Sequence, residues 1–119
     1  MPPSATERFD AIINLRASSF YPFSVNASGG SVSINFASLS PLDRAGLLPV
    51  VMQIGYGNVV TDADGNPAAC DLKKTIQAAP ALTAQLTETL TAAANYCASI
   101  ADVGNLREPA NFSIRITHP

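Results

Sequence analysis

The stretch of residues 80–102 constrains the fold most, because it is long, rich in apolar side chains and almost uncharged. Up to residue 101 its only charged side chain is Glu88. Apolar residues recur through it at intervals of three and four, which is the period of an α-helix. They are Leu82, Leu86, Leu90, Ala93, Cys97 and Ile100. Because Pro80 suits the first turn of a helix and Gly104 suits a left-handed residue beyond its end, the pattern predicts one long C-terminal helix.

The other face of this predicted helix carries threonine at every fourth position. Thr83, Thr87 and Thr91 stand where the surface helix of a monomer would normally show lysine and glutamate. Small hydroxyl side chains allow another protein surface to approach closely. We therefore predict an oligomer interface formed by these threonines together with Leu86 and Leu90. The alternative is a monomer whose helix has a polar but uncharged outer face.

The rest of the chain shows the period-two alternation of apolar and polar side chains that is typical of strands. The predicted strands cover residues 9–15, 23–25, 32–36, 50–60, 70–76 and 112–117. Residues 26–30 are predicted to be the turn of a hairpin, and a short helix is predicted after Ser40. The sequence thus predicts a single α+β domain over residues 1–119. It would have an antiparallel sheet of about five strands, the long C-terminal helix and a final C-terminal strand.

Two glycines, Gly55 and Gly57, interrupt the predicted strand 50–60. Glycine within a strand is typical of a bulge or of a close approach by another backbone segment. The pair is not a dinucleotide-binding fingerprint, because Val60 stands where the third glycine should be.

Composition limits the classes of function. Charged residues make up only 13% of the 119 residues, about half the usual share for a soluble domain. The net charge of −2 gives no general attraction for nucleic acid. We see no segment with the pattern of a signal peptide and no apolar run long enough to cross a membrane. From the sequence we expect a soluble chain without a membrane partner, and its compartment stays open.

Cys70 and Cys97 are the only cysteines and lie 27 residues apart. They are either two buried free thiols or a disulfide, which would stabilise the fold by closing a loop. The missing signal sequence favours free thiols.

An aspartate-rich segment resembles the start of a calcium-binding loop. Asp62, Asp64 and Asn66 alternate there, as oxygen ligands for a hard cation would. The sixth position of the loop is Pro67 rather than glycine, and the twelfth is Lys73 rather than glutamate. We predict a tight turn at this segment, and no metal or cofactor for the chain.

No catalytic constellation stands out. His118 is the only histidine and lies next to the C-terminus, where a frayed chain end would not hold a catalytic imidazole in place. The cysteines lack the spacing of a zinc site. We expect a protein that is not an enzyme, and an enzyme that uses unidentified carboxylates is the third hypothesis.

Four basic residues fall in or beside predicted strands: Arg16, Lys73, Lys74 and Arg115. On one sheet face they would make a modest platform for contact with nucleic-acid phosphates. Scattered solvated charges are the alternative and the favoured interpretation.

These features together favour a structural subunit that assembles into a homo-oligomer. The predicted order of sheet, helix and terminal strand is similar in organisation to coat proteins of small RNA phages, which would imply a place in a virion capsid. The second hypothesis is a small binding or accessory domain that works outside the cytosol. The redox state of Cys70 and Cys97, together with the mass in solution, separates the two.

Overall fold

The fold is an all-β sandwich in a computed structural model that describes residues 5–25, 30–90 and 94–118. Within those ranges every regular element is a β-strand. The eight strands are β1 (Ala5–Ile13), β2 (Ser18–Val25), β3 (Gly30–Pro41), β4 (Met52–Thr61), β5 (Pro67–Ala78), β6 (Leu86–Leu90), β7 (Ala94–Ala101) and β8 (Ala110–His118).

The strands form two antiparallel sheets of four. Sheet A has the order β1-β8-β3-β6 and sheet B has the order β2-β7-β4-β5. The pairs are nested around the β4–β5 hairpin, because β3 pairs with β6, β2 with β7, and β1 with β8. A long antiparallel ribbon that wraps in this way, alternating between two sheets, is the winding of an eight-stranded jelly roll.

The core lies between the inner faces of the two sheets. Among the described residues β5 alone contributes no fully buried apolar side chain to it, so β5 lies at the periphery. Aromatic rings connect the sheets at one end of the core. Phe9 of β1 stacks on Tyr21 of β2 with ring centroids 5.1 Å apart, and Phe23 of β2 lies 5.3 Å from the ring of His118.

The predicted α+β class and the long C-terminal helix are wrong. Residues 86–90 and 94–101 are strands β6 and β7. Leu86 and Leu90 are four residues apart, a spacing that fits a helix but equally fits a strand, since side chains two and four residues apart share one face of a strand. Thr87 and Thr89 lie on the opposite, exposed face of β6, and threonine is a β-branched residue that favours strands.

The low charge of this stretch has a different cause from the one predicted. β7 is a central strand of sheet B, and five consecutive residues of it are buried, from Tyr96 to Ile100. Its inner side faces the core, and on its outer side the disulfide joins Cys97 to Cys70 of β5. A strand that is covered on both sides reads as a continuous apolar run, as this one does.

The strand count also differs from the prediction of about five. Strands at 9–15, 50–60, 70–76 and 112–117 are confirmed as β1, β4, β5 and β8 within a few residues. The predicted hairpin between residues 23–25 and 32–36 is wrong, because β2 belongs to sheet B and β3 to sheet A. The connection spans residues 26–29, which lie outside the described ranges. The short helix predicted after Ser40 is also absent, since β3 runs to Pro41 and an irregular loop follows.

In the part of the chain that the structure describes, no helix is long and apolar enough to cross a membrane.

Candidate functional site

Strand β5 folds back onto the outer face of sheet B at two glycines of β4. The backbone of Asp71 and Leu72 occupies the space that a β-carbon on Gly57 would fill. At Gly55 the corresponding position lies 2.6 Å from the carbonyl oxygen of Lys74. The β4–β5 register shifts between Tyr56 and Gly57. The prediction of a bulge or a close backbone approach at these glycines is confirmed, and both features are present.

The Cys70–Cys97 disulfide fixes this arrangement. It joins β5 to β7, although β4 lies between them in the sheet order, and the two Cα atoms are 5.9 Å apart. Gly57 is the β4 residue that pairs with Cys97. Because glycine carries no side chain, nothing on β4 stands between the two cysteines. The interpretation as two free thiols therefore does not describe the structure, in which both sulfurs are bonded.

Curling of sheet B brings its two edge strands together. β2 and β5 are at opposite ends of the sheet order, yet they contact each other. The outer face of the sheet is consequently concave, with the first half of β5 as its roof. Two clefts open beside this roof, with volumes of about 460 and 450 Å³.

The larger of these, which we call the disulfide cleft, is lined by β2, β4 and β7 on its floor and by Ala68, Ala69, Cys70 and Leu72 of β5 on its roof. Its floor carries Ser18, Phe20, Gln53 and Ser99. These positions alternate with buried core residues such as Ile54 and Ile100, which places them on the outer face. Among the described residues that line the cleft none is charged, so it offers hydroxyl groups, one amide and one aromatic ring.

The second opening, the turn cleft, lies near the β4–β5 turn and contains an ordered set of polar groups. The Tyr21 hydroxyl donates a 2.9 Å hydrogen bond to Glu7, and the other carboxylate oxygen of Glu7 lies 2.5 Å from His118 Nε2. The hydrogen bond to Glu7 raises the pKa of the Tyr21 phenol, and burial adds to the effect. Glu7 and His118 also line the cleft.

His118 is therefore not on a frayed end, as the sequence suggested. It lies in β8, is almost fully buried and packs against Phe23. Its ring closes this end of the core and pairs with Glu7, which is sufficient to explain its position without a catalytic role.

At the opposite end of the sandwich, the buried carboxylate of Asp102 organises two loops. It accepts hydrogen bonds from the backbone N–H groups of Arg16 at 2.7 Å, Gly104 at 3.1 Å, Asn105 at 2.9 Å and Leu106 at 3.0 Å. Burial alone would raise the pKa of Asp102. The four hydrogen bonds outweigh burial and hold the pKa below its usual value.

Gly104 does adopt the left-handed backbone that the sequence indicated, with φ of 103°. It does so in the loop after β7 rather than at the end of a helix.

The four basic residues considered for phosphate contact do not share one face. Lys73 and Lys74 lie on β5 of sheet B. Lys73 is paired with Asp71 at 3.0 Å, and Lys74 is paired with Glu88 at 3.2 Å. Arg115 lies on β8 of sheet A, and Arg16 lies in the turn between β1 and β2. The structure does not bring them together as a platform.

The predicted interface residues are also separated. Leu86 and Leu90 are buried in the core of their own chain, whereas Thr87 is exposed on β6 and Thr83 is exposed in the loop before it. Thr91 lies outside the described residues. The threonines do not form a helical stripe.

The aspartate-rich segment is a tight turn, as predicted. One oxygen of Asp62 accepts hydrogen bonds from the backbone N–H groups of Asp64 at 2.9 Å and Asn66 at 3.0 Å. Gly65 supplies the positive φ, 82°, that the turn requires. Over residues 5–25, 30–90 and 94–118, no three side chains of the kinds that bind metals converge.

The sequence did not point to the floor of the disulfide cleft. Its residues come from three distant parts of the chain, Ser18 and Phe20 of β2, Gln53 of β4 and Ser99 of β7, and they come together only because of the jelly-roll winding. For the roof, the sequence did give signals: Gly55 and Gly57, which interrupt β4, and the two cysteines, Cys70 and Cys97. No family model matches the chain, and no curated protein sequence is significantly similar to it.

Proposed function

We propose that this chain is a small disulfide-bonded binding or accessory domain that works outside the cytosol. The observation that carries the proposal is the Cys70–Cys97 bond, which holds β5 over the outer face of sheet B and so forms a cleft. Disulfides persist in oxidising compartments and are rare in the cytosol. A cleft whose roof is covalently tied to its floor is organised before a ligand arrives.

The surface chemistry supports the same proposal. An exterior poor in charge and rich in serine and threonine is typical of proteins outside the cytosol and of buried interfaces. A cleft of about 460 Å³ lies within the size range of pockets that bind small ligands. The jelly-roll winding does not select among functions, because the same fold serves lectin domains, cupins and viral capsids.

The test is the state of the two thiols in protein recovered from its own cells. The sample is denatured with iodoacetamide present and its intact mass is measured. We expect no alkylation before reduction and two alkylated cysteines after it. Two alkylated cysteines before reduction would rule out a disulfide-bonded domain in an oxidising compartment.

A second candidate is the self-assembling subunit, and one feature of the surface favours it. Three loops at the Asp102 end carry exposed aliphatic side chains, which we call the apolar loop end. They are Leu15, Leu42, Leu47, Val51 and Val103. Exposed aliphatic side chains that cluster on one side of a soluble protein are typical of interaction surfaces.

Hydrogen bonds hold these loops together. Asp102 links the loop after β7 to the β1–β2 turn at Arg16, and Asn105 Nδ2 donates to the carbonyl of Val51 at 2.8 Å. Arg44 makes two hydrogen bonds to the Glu108 carboxylate, at 2.9 and 2.8 Å. A surface that is ordered in this way can be presented to a second copy of the chain without a large ordering cost.

Light scattering at micromolar concentration separates the two candidates, and two variants of exposed aliphatic residues provide the control. Leu47 is 61% exposed and lies at the apolar loop end, whereas Val60 is 46% exposed and lies beside the β4–β5 turn at the opposite end. If the chain assembles through the apolar loop end, Leu47→Lys should dissociate the oligomer and Val60→Lys should not. A monomeric wild-type protein removes the second candidate.

A further inference from the structure

We infer that the disulfide cleft binds a neutral carbohydrate, an inference that rests on the binding function proposed above and specifies its ligand. The cleft lies on the outer face of sheet B beneath Ala68, Ala69, Cys70 and Leu72 of β5. Three properties of its lining lead to this ligand class: the absence of charge among the described lining residues, the kind of hydrogen-bonding groups, and one aromatic side chain.

The absence of charge excludes ionic ligands first. A phosphate or carboxylate ligand would be matched by arginine or lysine, and a cation by carboxylates. The charged residues on this part of β5, Asp71 and Lys73, pair with each other at 3.0 Å and do not line the cleft. Binding is therefore expected to be insensitive to salt.

The polar groups of the floor fit a ligand that is rich in hydroxyl groups. Gln53 offers an acceptor oxygen and two N–H donors, and the hydroxyls of Ser18 and Ser99 can each donate and accept. A sugar hydroxyl also donates and accepts hydrogen bonds. Each hydroxyl of the ligand can therefore donate to one of these side chains and accept from another. Ser18 and Gln53 lie on either side of Ala101 of β7, about 10 Å apart at the usual strand spacing, so they can contact hydroxyls on opposite sides of a sugar ring.

Phe20 supplies the apolar part of the recognition. It is partly buried on the outer face of β2 and lines the cleft together with Leu72 of the roof. A pyranose ring carries C–H groups on its faces, and these can pack against an aromatic ring with loss of water from both surfaces.

An extended uncharged peptide fits the same cleft less well. Peptides that bind β-sheets usually add a strand at an open edge through backbone hydrogen bonds. Here the backbone groups of the central floor strands are already paired, since β7 lies between β2 and β4. Pro22 in edge strand β2 has no N–H group to offer to an added strand. Recognition must then proceed through side chains, as it does for a sugar.

The experiment is a titration of isotope-labelled, oxidised protein followed by amide chemical shifts. The probes are cellohexaose, maltohexaose, xylohexaose and mannohexaose, each up to about 10 mM, a range that detects even millimolar affinity. A heparin hexasaccharide and an uncharged glycine–serine decapeptide serve as comparison ligands. We expect at least one neutral oligosaccharide to shift the amides of Ser18, Phe20, Gln53 and Ser99 together with those of residues 68–72.

Variants then connect the shifts to the lining side chains. Phe20→Ala and Gln53→Ala should each weaken binding at least about tenfold, the ratio that corresponds to about 1.4 kcal/mol. Ile12→Ala and Asn111→Ala are the matched controls, because both residues are exposed on the outer face of sheet A, outside this cleft. They should bind like the wild-type chain.

Several results would overturn the inference. These are no shift with any neutral oligosaccharide, shifts only with heparin or the decapeptide, or shifts that map away from the cleft. The wild-type titration decides even if a variant fails to fold. Protein with an intact disulfide that binds no sugar contradicts this inference alone, whereas free thiols in protein from its own cells contradict the proposed function.

Discussion

The backbone of Asp71 occupies the space that a side chain on Gly57 would need. This contact allows β5 to lie over the outer face of sheet B, and it places Cys70 within bonding distance of Cys97 across β4. Glycine at position 57 is thus required for both the disulfide and the cleft, because any larger side chain would displace β5.

Gly57→Ala should destabilise the protein by about 2 kcal/mol or more, because the obstructing atoms belong to the backbone and cannot rotate away. Equilibrium unfolding in urea measures the change. Thr87→Ala, on the exposed face of β6, is the control and should alter the free energy of unfolding by less than about 0.5 kcal/mol. Equal stability of Gly57→Ala and the wild-type chain would show that β5 does not cover β4 at this point.

Asp102→Ala should destabilise the fold by about 2–4 kcal/mol. The substitution leaves four backbone N–H groups without their acceptor, and hydrogen bonds to a charged group are stronger than neutral ones. Asp43→Ala is the matched control, because Asp43 is exposed and its ion pair is with Arg44, which is also exposed. A loss in the control as large as that in Asp102→Ala would contradict the role assigned to the buried carboxylate.

The lowered pKa of Asp102 also determines how the stability of the fold should depend on pH. Its pKa in the folded state lies below the usual value of 3.8, so the stabilisation is present above that value. It is lost as the pH falls through the folded-state pKa, because the native carboxylate must then be protonated. Urea unfolding at a series of pH values should show the wild-type chain and Asp102→Asn converging in acid. A stability difference that stays constant below pH 3.8 would exclude this linkage.

Gln85→Ala should cost about 1–3 kcal/mol of stability. The Gln85 side chain accepts a hydrogen bond from the Phe36 N–H at 2.9 Å and donates one to the Phe36 carbonyl at 2.9 Å, as a neighbouring strand would. Without it, the Phe36 N–H loses its side-chain acceptor, and the Phe36 carbonyl keeps only the hydrogen bond from the Ala81 N–H at 3.0 Å. Gln77→Ala on exposed β5 is the control. If thermal denaturation finds the two variants equally stable, the hydrogen bonds between Gln85 and Phe36 do not stabilise the fold.

The double variant Cys70→Ala/Cys97→Ala should lose about 3 kcal/mol of stability, the amount expected when a loop of this length is no longer closed in the unfolded chain. Reduction of the wild-type protein should lower its stability by a similar amount. If neither change alters the urea midpoint, the disulfide does not stabilise the native fold.

The local elements of the fold were predictable where one pattern dominated. Alternating side chains indicated β1, β4, β5 and β8, and the turn at Asp62 followed from its aspartate and glycine residues. Gly55 and Gly57 indicated a close backbone contact, which is present. These features depend on neighbouring residues in the chain.

The region of β6 and β7 was mispredicted because two periods coincide there. Leucines four residues apart satisfy both a helix and a strand, and burial of β7 on both sides removed the polar residues that would have shown alternation. The threonines were evidence for a strand, since they are poor helix formers. The absence of charge from β7 reflects the disulfide-linked β5, which covers its outer side.

The floor of the cleft could not be predicted, for a topological reason. Phe20, Gln53 and Ser99 belong to three strands, and their meeting depends on how the ribbon wraps. In one sequence the apolar patterns of β2 and β3 fit a simple hairpin as well as strands in two different sheets. Only the long-range pairing of β2 with β7 decides between them.

Hydrogen–deuterium exchange of the oxidised and the reduced protein, followed by mass spectrometry of peptides, tests whether the Cys70–Cys97 disulfide holds β5 over sheet B. If the disulfide holds β5 over sheet B, reduction should speed exchange in β5, β2 and the outer part of β7 while sheet A remains protected. Exchange that is unchanged by reduction, or that rises equally in both sheets, would contradict the account.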